Sequence, residues 1–172
     1  LAAARAADSQ TTAFAQARYN WQFVTADGSA GANNYAYVKA LLEESLARFG
    51  RELGAAFQVA DDLLDYTAEA ETLGKNIGDD LAEGKPTLPL IHALHNGTDG
   101  ERQLIRSAIE NGGLDDLEPI RSAIESSGGL DYTARLAREQ AEAAVASLAI
   151  LPDSVYKDAL AALARIAVER SH

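Results

Sequence analysis

Cysteine is absent from the 172 residues, which excludes disulfides and thiolate metal sites but leaves the compartment open. Methionine is absent too, even from position 1. A primary translation product begins with one, so a chain opening on Leu1 is expected to be a processed piece, a fragment, or a sequence whose beginning is unseen. Positive charge is scarce: 15 Lys and Arg against 26 Asp and Glu leave a net charge of −11. Neutralising a phosphate backbone takes a basic face, so no nucleic-acid partner is expected. No apolar run approaches the length of a membrane span and no signal-peptide pattern opens the chain, so a cytoplasmic protein is expected.

What remains is ordinary for a single globular domain, with 47% hydrophobic and 24% charged residues. The dominant pattern is helical. Val38, Leu42, Leu46, Phe49, Leu53, Phe57, Ala60 and Leu64 recur at three- and four-residue spacings, which predicts one buried face of a long helix. With Leu42 at zero and roughly 100° per residue, Gly50, Gly54, Gln58, Asp61 and Asp65 gather at about 80° to 160°. That strip has no bulky side chain. It reads as the wall of a cleft, with an amide and two carboxylates pointing into the space.

Asp61 and Asp65 are i,i+4 neighbours whose repulsion destabilises a bare helix by a few tenths of a kcal/mol, about 0.2–0.5. Asp62 adds to the field from the flank. A hard divalent cation reverses the sign, and oxygen ligands without cysteine point to Mg²⁺, which takes one or two carboxylates, waters and a substrate phosphate. A solvated acidic helix end is the plainer explanation of such a cluster. The lysines weigh against it. Of the four in the chain, Lys75 and Lys85 follow the carboxylates within some twenty-odd residues, each behind a glycine. Metal ligands followed by isolated ammonium groups suit a metal-bridged diphosphate.

These residues carry a resemblance. Gly54-x-x-Phe57-Gln58-x-x-Asp61-Asp62-x-x-Asp65, then Gly74-Lys75-x-x-Gly78-x-Asp80, then Gly84-Lys85-x-Thr87-Leu88-Pro89, resemble the second aspartate-rich region of trans-polyprenyl diphosphate synthases, the octaprenyl-type branch above all. Gly129-Leu130-Asp131-Tyr132, the alanine-rich stretch after it and Leu151-Pro152-Asp153-Ser154-x-Tyr156 are similar to that family's C-terminal segment. The resemblance runs from about residue 44 to 172, and residues 1–43 match poorly. It implies the C-terminal half of an isoprenoid-synthase helical bundle, within one domain spanning 1–172.

The rest of the chain reads as helices and turns, with no convincing strand pairs. Residues 1–18 are alanine-rich, and Tyr19, Trp21, Phe23, Tyr35 and Tyr37 surround a loop at Asp27-Gly28-Ser29. Gln10-Thr11-Thr12 lacks the lysine of the family's Lys-Thr pair, so that role is not carried over. Thr67 to Lys85 reads as a loop with at most one helical turn, which Asp79 and Asp80 would open as helix-start carboxylates. Pro86 and Pro89 suit the start of a helix over 90–95, ended by Asn96-Gly97. His92 and His95 lack a third ligand for a metal. Ile-Arg-Ser-Ala-Ile-Glu occurs at 105–110 and again at 120–125, too short an echo for a solenoid, and predicts two amphipathic helices parted by Gly112-Gly113. Asp115-Asp116 reads as a surface turn. A helix over 132–148 and a last one capped by Ser154, with Ala159, Leu160, Leu163, Ile166 and Ala167 as its apolar residues, complete the all-α expectation. Glu169-Arg170-Ser171-His172 is a poor version of the basic tail some relatives carry.

The function implied by the resemblance is chain elongation, in which an allylic prenyl diphosphate is ionised with Mg²⁺ help and isopentenyl diphosphate attacks the carbocation. By motif position, Asp61 and Asp65 would bind Mg²⁺, with Asp62 supporting through water. Lys75 and Lys85 would hold diphosphate oxygens, Gln58 would hydrogen-bond near the reacting groups, and Phe57 would line the floor. Asp80 is a weaker metal candidate, and a homodimer is the family expectation. A complete synthase also has an earlier Asp-Asp-x-x-Asp followed by paired arginines, and neither occurs in these residues. Three readings follow: the C-terminal portion of a synthase, a small non-catalytic subunit whose partner carries the first motif, or a helical interaction module.

Overall fold

The structure, a computed structural model, describes residues 35–67, 78–111 and 117–169. Helix α1 (Tyr35–Thr67) is the longest element, 33 residues and about 50 Å at 1.5 Å per residue. It contains no proline, and i,i+4 ion pairs lace it, Lys39–Glu43 at 3.4 Å on its exposed side and the half-buried Arg48–Glu52 at 3.8 Å. A single turn, α2 (Asp79–Ala82), leads through Gly84 to α3 (Leu88–Asn96). Then come α4 (Asp99–Asn111), α5 (Leu117–Ser126), α6 (Gly129–Ser147), a 3₁₀ turn (Leu148–Ile150) and α7 (Val155–Val168). No strand occurs among the described residues, so the all-α reading holds.

Helix boundaries follow from local chemistry. Pro89 sits in the first turn of α3, where its missing N–H costs nothing, and the Gly97 N–H closes the far end on the Ala93 carbonyl at 2.8 Å. Thr98 and Glu101 form a capping box before α4, and the Glu101 carboxylate also accepts from the Ser126 hydroxyl at 2.8 Å. Ser154 caps α7 by accepting from the Lys157 N–H at 3.2 Å. Helix α6 begins three residues before the expected position 132, because Gly128 adopts a left-handed φ of 77° and turns the chain into it.

Two cores result. One is built of Tyr66, Leu81, Leu90, Ile105, Ile120 and Ile124, all fully buried, where α3, α4 and α5 meet the end of α1. The repeated hexapeptide thus places Ile105 and Ile120 in one core from two adjoining helices. The other packs Phe49 of α1 against Ala144, Leu148 and Ala164 of the C-terminal elements. Helices α1 and α6 share the most extensive interface, and α6 contributes Ala137, Ala141 and Ala144 to the buried set. The Ser45 hydroxyl ties the two by donating to the Ser147 carbonyl.

Two expectations about burial are corrected. Leu46 and Phe57, assigned to the buried face of α1, are exposed, and so are Leu163 and Ile166 of α7. Up to Ala60 the buried positions of α1, Ser45, Phe49, Ala56 and Ala60, lie between about −60° and 0° on the wheel, whereas Leu46 and Phe57 lie at about 40° and 60°. An alanine-faced partner approaches closely and covers a narrow arc. The broader apolar arc read from the sequence extends past it.

Candidate active site

The acidic end of α1 faces the turn between α2 and α3. Phe57 and Gln58 are exposed, and Asp61, Asp62 and Asp65 are half-buried. One turn and two turns before Gln58, a side chain added at Gly54 or Gly50 would meet nothing within 4 Å. The glycine end of the strip read as a cleft wall therefore borders open space, and its carboxylate end is half-buried. Asp61 and Asp65 stand on it one helical turn apart.

The chain is fastened back onto this end at several points. The Gly78 N–H donates to the Asp65 carbonyl at 3.1 Å, with Gly78 at a φ of 82° that only glycine adopts readily. Gly84 has a φ of 69°, and a side chain there would sit 3.0 Å from the Ile109 carbonyl oxygen. This turn sends Lys85 back over α2, where its N–H bonds the Asp80 carbonyl at 2.9 Å. The Leu88 N–H donates to the Asp62 carboxylate at 2.9 Å, and the Tyr66 and Thr87 hydroxyls share a hydrogen bond of 3.1 Å.

The Lys85 ammonium lies 2.7 Å from Glu83 and 3.0 Å from Asp80. The hydrogen bonds to Glu83 and Asp80 hold its pKa above the usual lysine value, so it is cationic at any working pH. Burial pushes the Asp62 carboxyl above its ordinary value; the Leu88 N–H opposes that, and the charges of Asp80 and Asp61 add to it. Burial likewise raises the Tyr66 phenol, which stays protonated as a hydrogen-bonding partner.

The expected residues divide accordingly. Asp61, Asp65, Gln58 and Phe57 share one end of one helix, and Asp80 and Lys85 are joined to each other beside Asp62. Lys75 lies outside the described residues, as do Gly74, residues 1–34, Gly112-Gly113, Asp115-Asp116 and Arg170 to His172. No group of three or more His, Asp or Glu among the described residues is gathered as a metal cage. Mg²⁺ needs only one or two carboxylates beside water and phosphate. The half-buried pair one turn apart, Asp61 and Asp65, fits that demand.

Two residues escaped sequence reasoning. Tyr66 and Thr87 clasp the site from below, both buried, and no spacing rule links positions 21 residues apart. A tyrosine directly after the last aspartate, on the core side of the helix, was the available signal. His92 stacks on Tyr132 with ring centroids 4.7 Å apart, and the Arg135 guanidinium lies 5.5 Å from that ring's centroid; both are packing contacts. A groove of about 440 Å³ between α6 and α7, lined by Arg138, Glu142, Val145 and Arg165 among others, holds none of the α1 carboxylates. No helix among the described residues is long and apolar enough to cross a membrane.

The polyprenyl synthetase family pattern matches residues 28–126. The octaprenyl diphosphate synthase of Escherichia coli (strain K12) is 54% identical over 129 residues, 74% of this chain and 40% of that protein. A crystal structure of a polyprenyl synthase from Caulobacter crescentus CB15, complexed with calcium and isoprenyl diphosphate, superposes with a TM-score of 0.71 at 43% identity. It covers 76% of this chain and 40% of that one. A geranylgeranyl pyrophosphate synthase from Corynebacterium glutamicum, complexed with isoprenyl diphosphate and magnesium, gives a TM-score of 0.69 at 28% identity over 76% of this chain and 38% of that one. The chain thus spans about two fifths of the length of the relatives it matches. On sequence and on the all-α bundle alike, the chain belongs to the polyprenyl synthetase family.

Proposed function

We propose that this chain supplies the second, C-terminal diphosphate site of a prenyltransferase that elongates an allylic prenyl diphosphate with isopentenyl diphosphate. One observation carries the reading: Asp61 and Asp65 stand one turn apart on one strip of α1, and the turn bearing a permanently cationic Lys85 is fastened to Asp62 between them. Relatives of the same family bind isoprenyl diphosphate with calcium or magnesium.

Asp61 and Asp65 would hold Mg²⁺, which when bound neutralises charge growing on a leaving diphosphate. The chain's own residues do the rest. Lys85 exchanges its contacts with Glu83 and Asp80 for diphosphate oxygens, and Lys75 serves as a second ammonium. Gln58, one turn before Asp61 and Asp62, donates from its amide toward the reacting groups. Exposed Phe57 offers an apolar floor to a prenyl tail, and Gly50 and Gly54 leave the room beside it. An earlier acidic site for the allylic diphosphate completes the reaction, from the same polypeptide or a partner subunit. A homodimer in the cytoplasm belongs to the same proposal and rests on the family resemblance.

The test is incorporation of labelled isopentenyl diphosphate into a longer prenyl diphosphate, with an allylic primer and Mg²⁺, by the protein that carries this chain. Asp61→Ala is expected to lower the rate on the order of 100-fold or more, and Lys85→Ala roughly tenfold, as loss of charge-assisted contacts does. A rate indifferent to Asp61 would contradict the proposal.

A further inference from the structure

The three aspartates of the motif do not face the same way. On the wheel that puts Asp61 at about 100° and Asp65 at about 140°, Asp62 falls at about 200° and Tyr66 at about 240°. Asp62 and Tyr66 therefore share a face that leans away from the strip of Asp61 and Asp65. Each contacts one of two consecutive residues across the turn: the Asp62 carboxylate accepts from Leu88 and the Tyr66 hydroxyl meets Thr87.

Helix α3 explains why the Asp62 contact matters. Its N-cap residue, Thr87, makes no side-chain capping bond, since its hydroxyl is engaged with Tyr66. Pro89 has no N–H to satisfy, and the Leu88 N–H at the helix start has no carbonyl partner within the helix. A carboxylate from 26 residues upstream takes the place of the missing cap, where the helix dipole also favours negative charge. The Thr87 N–H in turn bonds the Lys85 carbonyl at 3.0 Å. The line from Asp62 through Leu88 and Thr87 thus ends at the lysine of the site.

We infer that Asp62 is a positioning residue: its carboxylate caps α3 and so fixes the 84–89 turn that presents Lys85 to the diphosphate, while Asp61 and Asp65 alone serve the metal. This rests on the proposed function for what Lys85 does, and on the hydrogen bond alone for what Asp62 does. It departs from the motif-based expectation that Asp62 supports the metal through water.

Asparagine separates the two roles, because its amide oxygen still caps a helix but, being uncharged, is a weaker ligand for Mg²⁺ than a carboxylate. Two readouts are needed on the full chain: hydrogen exchange at the Leu88 amide, and binding of inorganic pyrophosphate with Mg²⁺. Asp62→Asn is expected to keep Leu88 protected and to bind within about threefold of wild type. Asp62→Ala is expected to speed Leu88 exchange and weaken binding, each on the order of tenfold. Leu88→Pro removes the donor while leaving the carboxylate, in a position where proline suits a helix start. It should weaken binding as Asp62→Ala does, and the double variant should be no worse than either. If Asp62→Asn loses binding as fully as Asp61→Asn, Asp62 is a metal ligand and the inference is overturned. If Leu88 is unprotected in the wild type, the cap does not exist. If Leu88 is protected but the wild type binds no pyrophosphate, the proposed function falls and takes the presentation of Lys85 with it, while the cap stands.

Discussion

The two halves of α1 handle charge in opposite ways. In the first, acids and bases alternate at helical spacing, and Lys39–Glu43 and Arg48–Glu52 close on one another within the helix. In the second, from Ala55 to Thr67, there is no lysine or arginine, and three carboxylates lie within five residues. Partners come to them from elsewhere in the chain, as Leu88 does for Asp62. Charge paired within its own helix stiffens that helix; charge with no opposite partner there serves contacts from other parts of the fold, as Asp62 does for Leu88.

Substitutions that weaken one half and not the other sharpen this contrast. Largest in effect is the double variant Asp61→Ala/Asp65→Ala, expected to lower Mg²⁺-dependent pyrophosphate affinity on the order of 100-fold in a calorimetric titration. Its melting temperature should hold or rise, because like charges at i,i+4 are relieved. A large fall in melting temperature would make the carboxylates structural after all.

Next is Tyr66→Phe, which removes a buried hydrogen bond and is expected to cost about 1 kcal/mol in denaturant unfolding. A cost near zero would mean the Tyr66–Thr87 clasp is dispensable.

The third concerns pH. The Asp62 carboxyl is raised above its ordinary value, so the folded chain holds that proton to higher pH than the unfolded one. Its contribution to stability is therefore fully present below the unfolded pKa and is lost as pH rises through the folded one. Asp62→Asn, which has no such proton, should gain stability relative to wild type at pH 7, with the gap closing toward pH ~4, where the unfolded carboxyl titrates. Chemical denaturation of both proteins across that range checks the sign.

The smallest effect belongs to the first half of the helix: Lys39→Ala should cost at most about 0.5 kcal/mol, as exposed i,i+4 pairs do, and nothing in pyrophosphate affinity.

How far the sequence carried this account varied with the distance over which residues act. Local signals were reliable: Ser154 as a cap, Pro89 opening α3, and the two isoleucine helices around 105 and 120 all stand where their chemistry put them. Spacing also placed Asp61, Asp65 and the two glycines on one strip. Burial was less legible. Leu46, Phe57, Leu163 and Ile166 fit the helical period yet are exposed, because periodicity gives an apolar arc without saying how wide a neighbour covers it. Alanines on α6 cover little. Least legible was the fastening of the site. Asp62 to Leu88 and Tyr66 to Thr87 join residues more than twenty apart, and only the fold brings such pairs together.

The central claim is that the acidic end of α1 is a metal-dependent diphosphate site. Calorimetric titration of the chain with inorganic pyrophosphate, with and without Mg²⁺, tests it most directly. The account predicts saturable one-to-one binding that requires Mg²⁺ and disappears in Asp61→Ala/Asp65→Ala. Binding that is the same without the metal, or that survives the double variant, would contradict it.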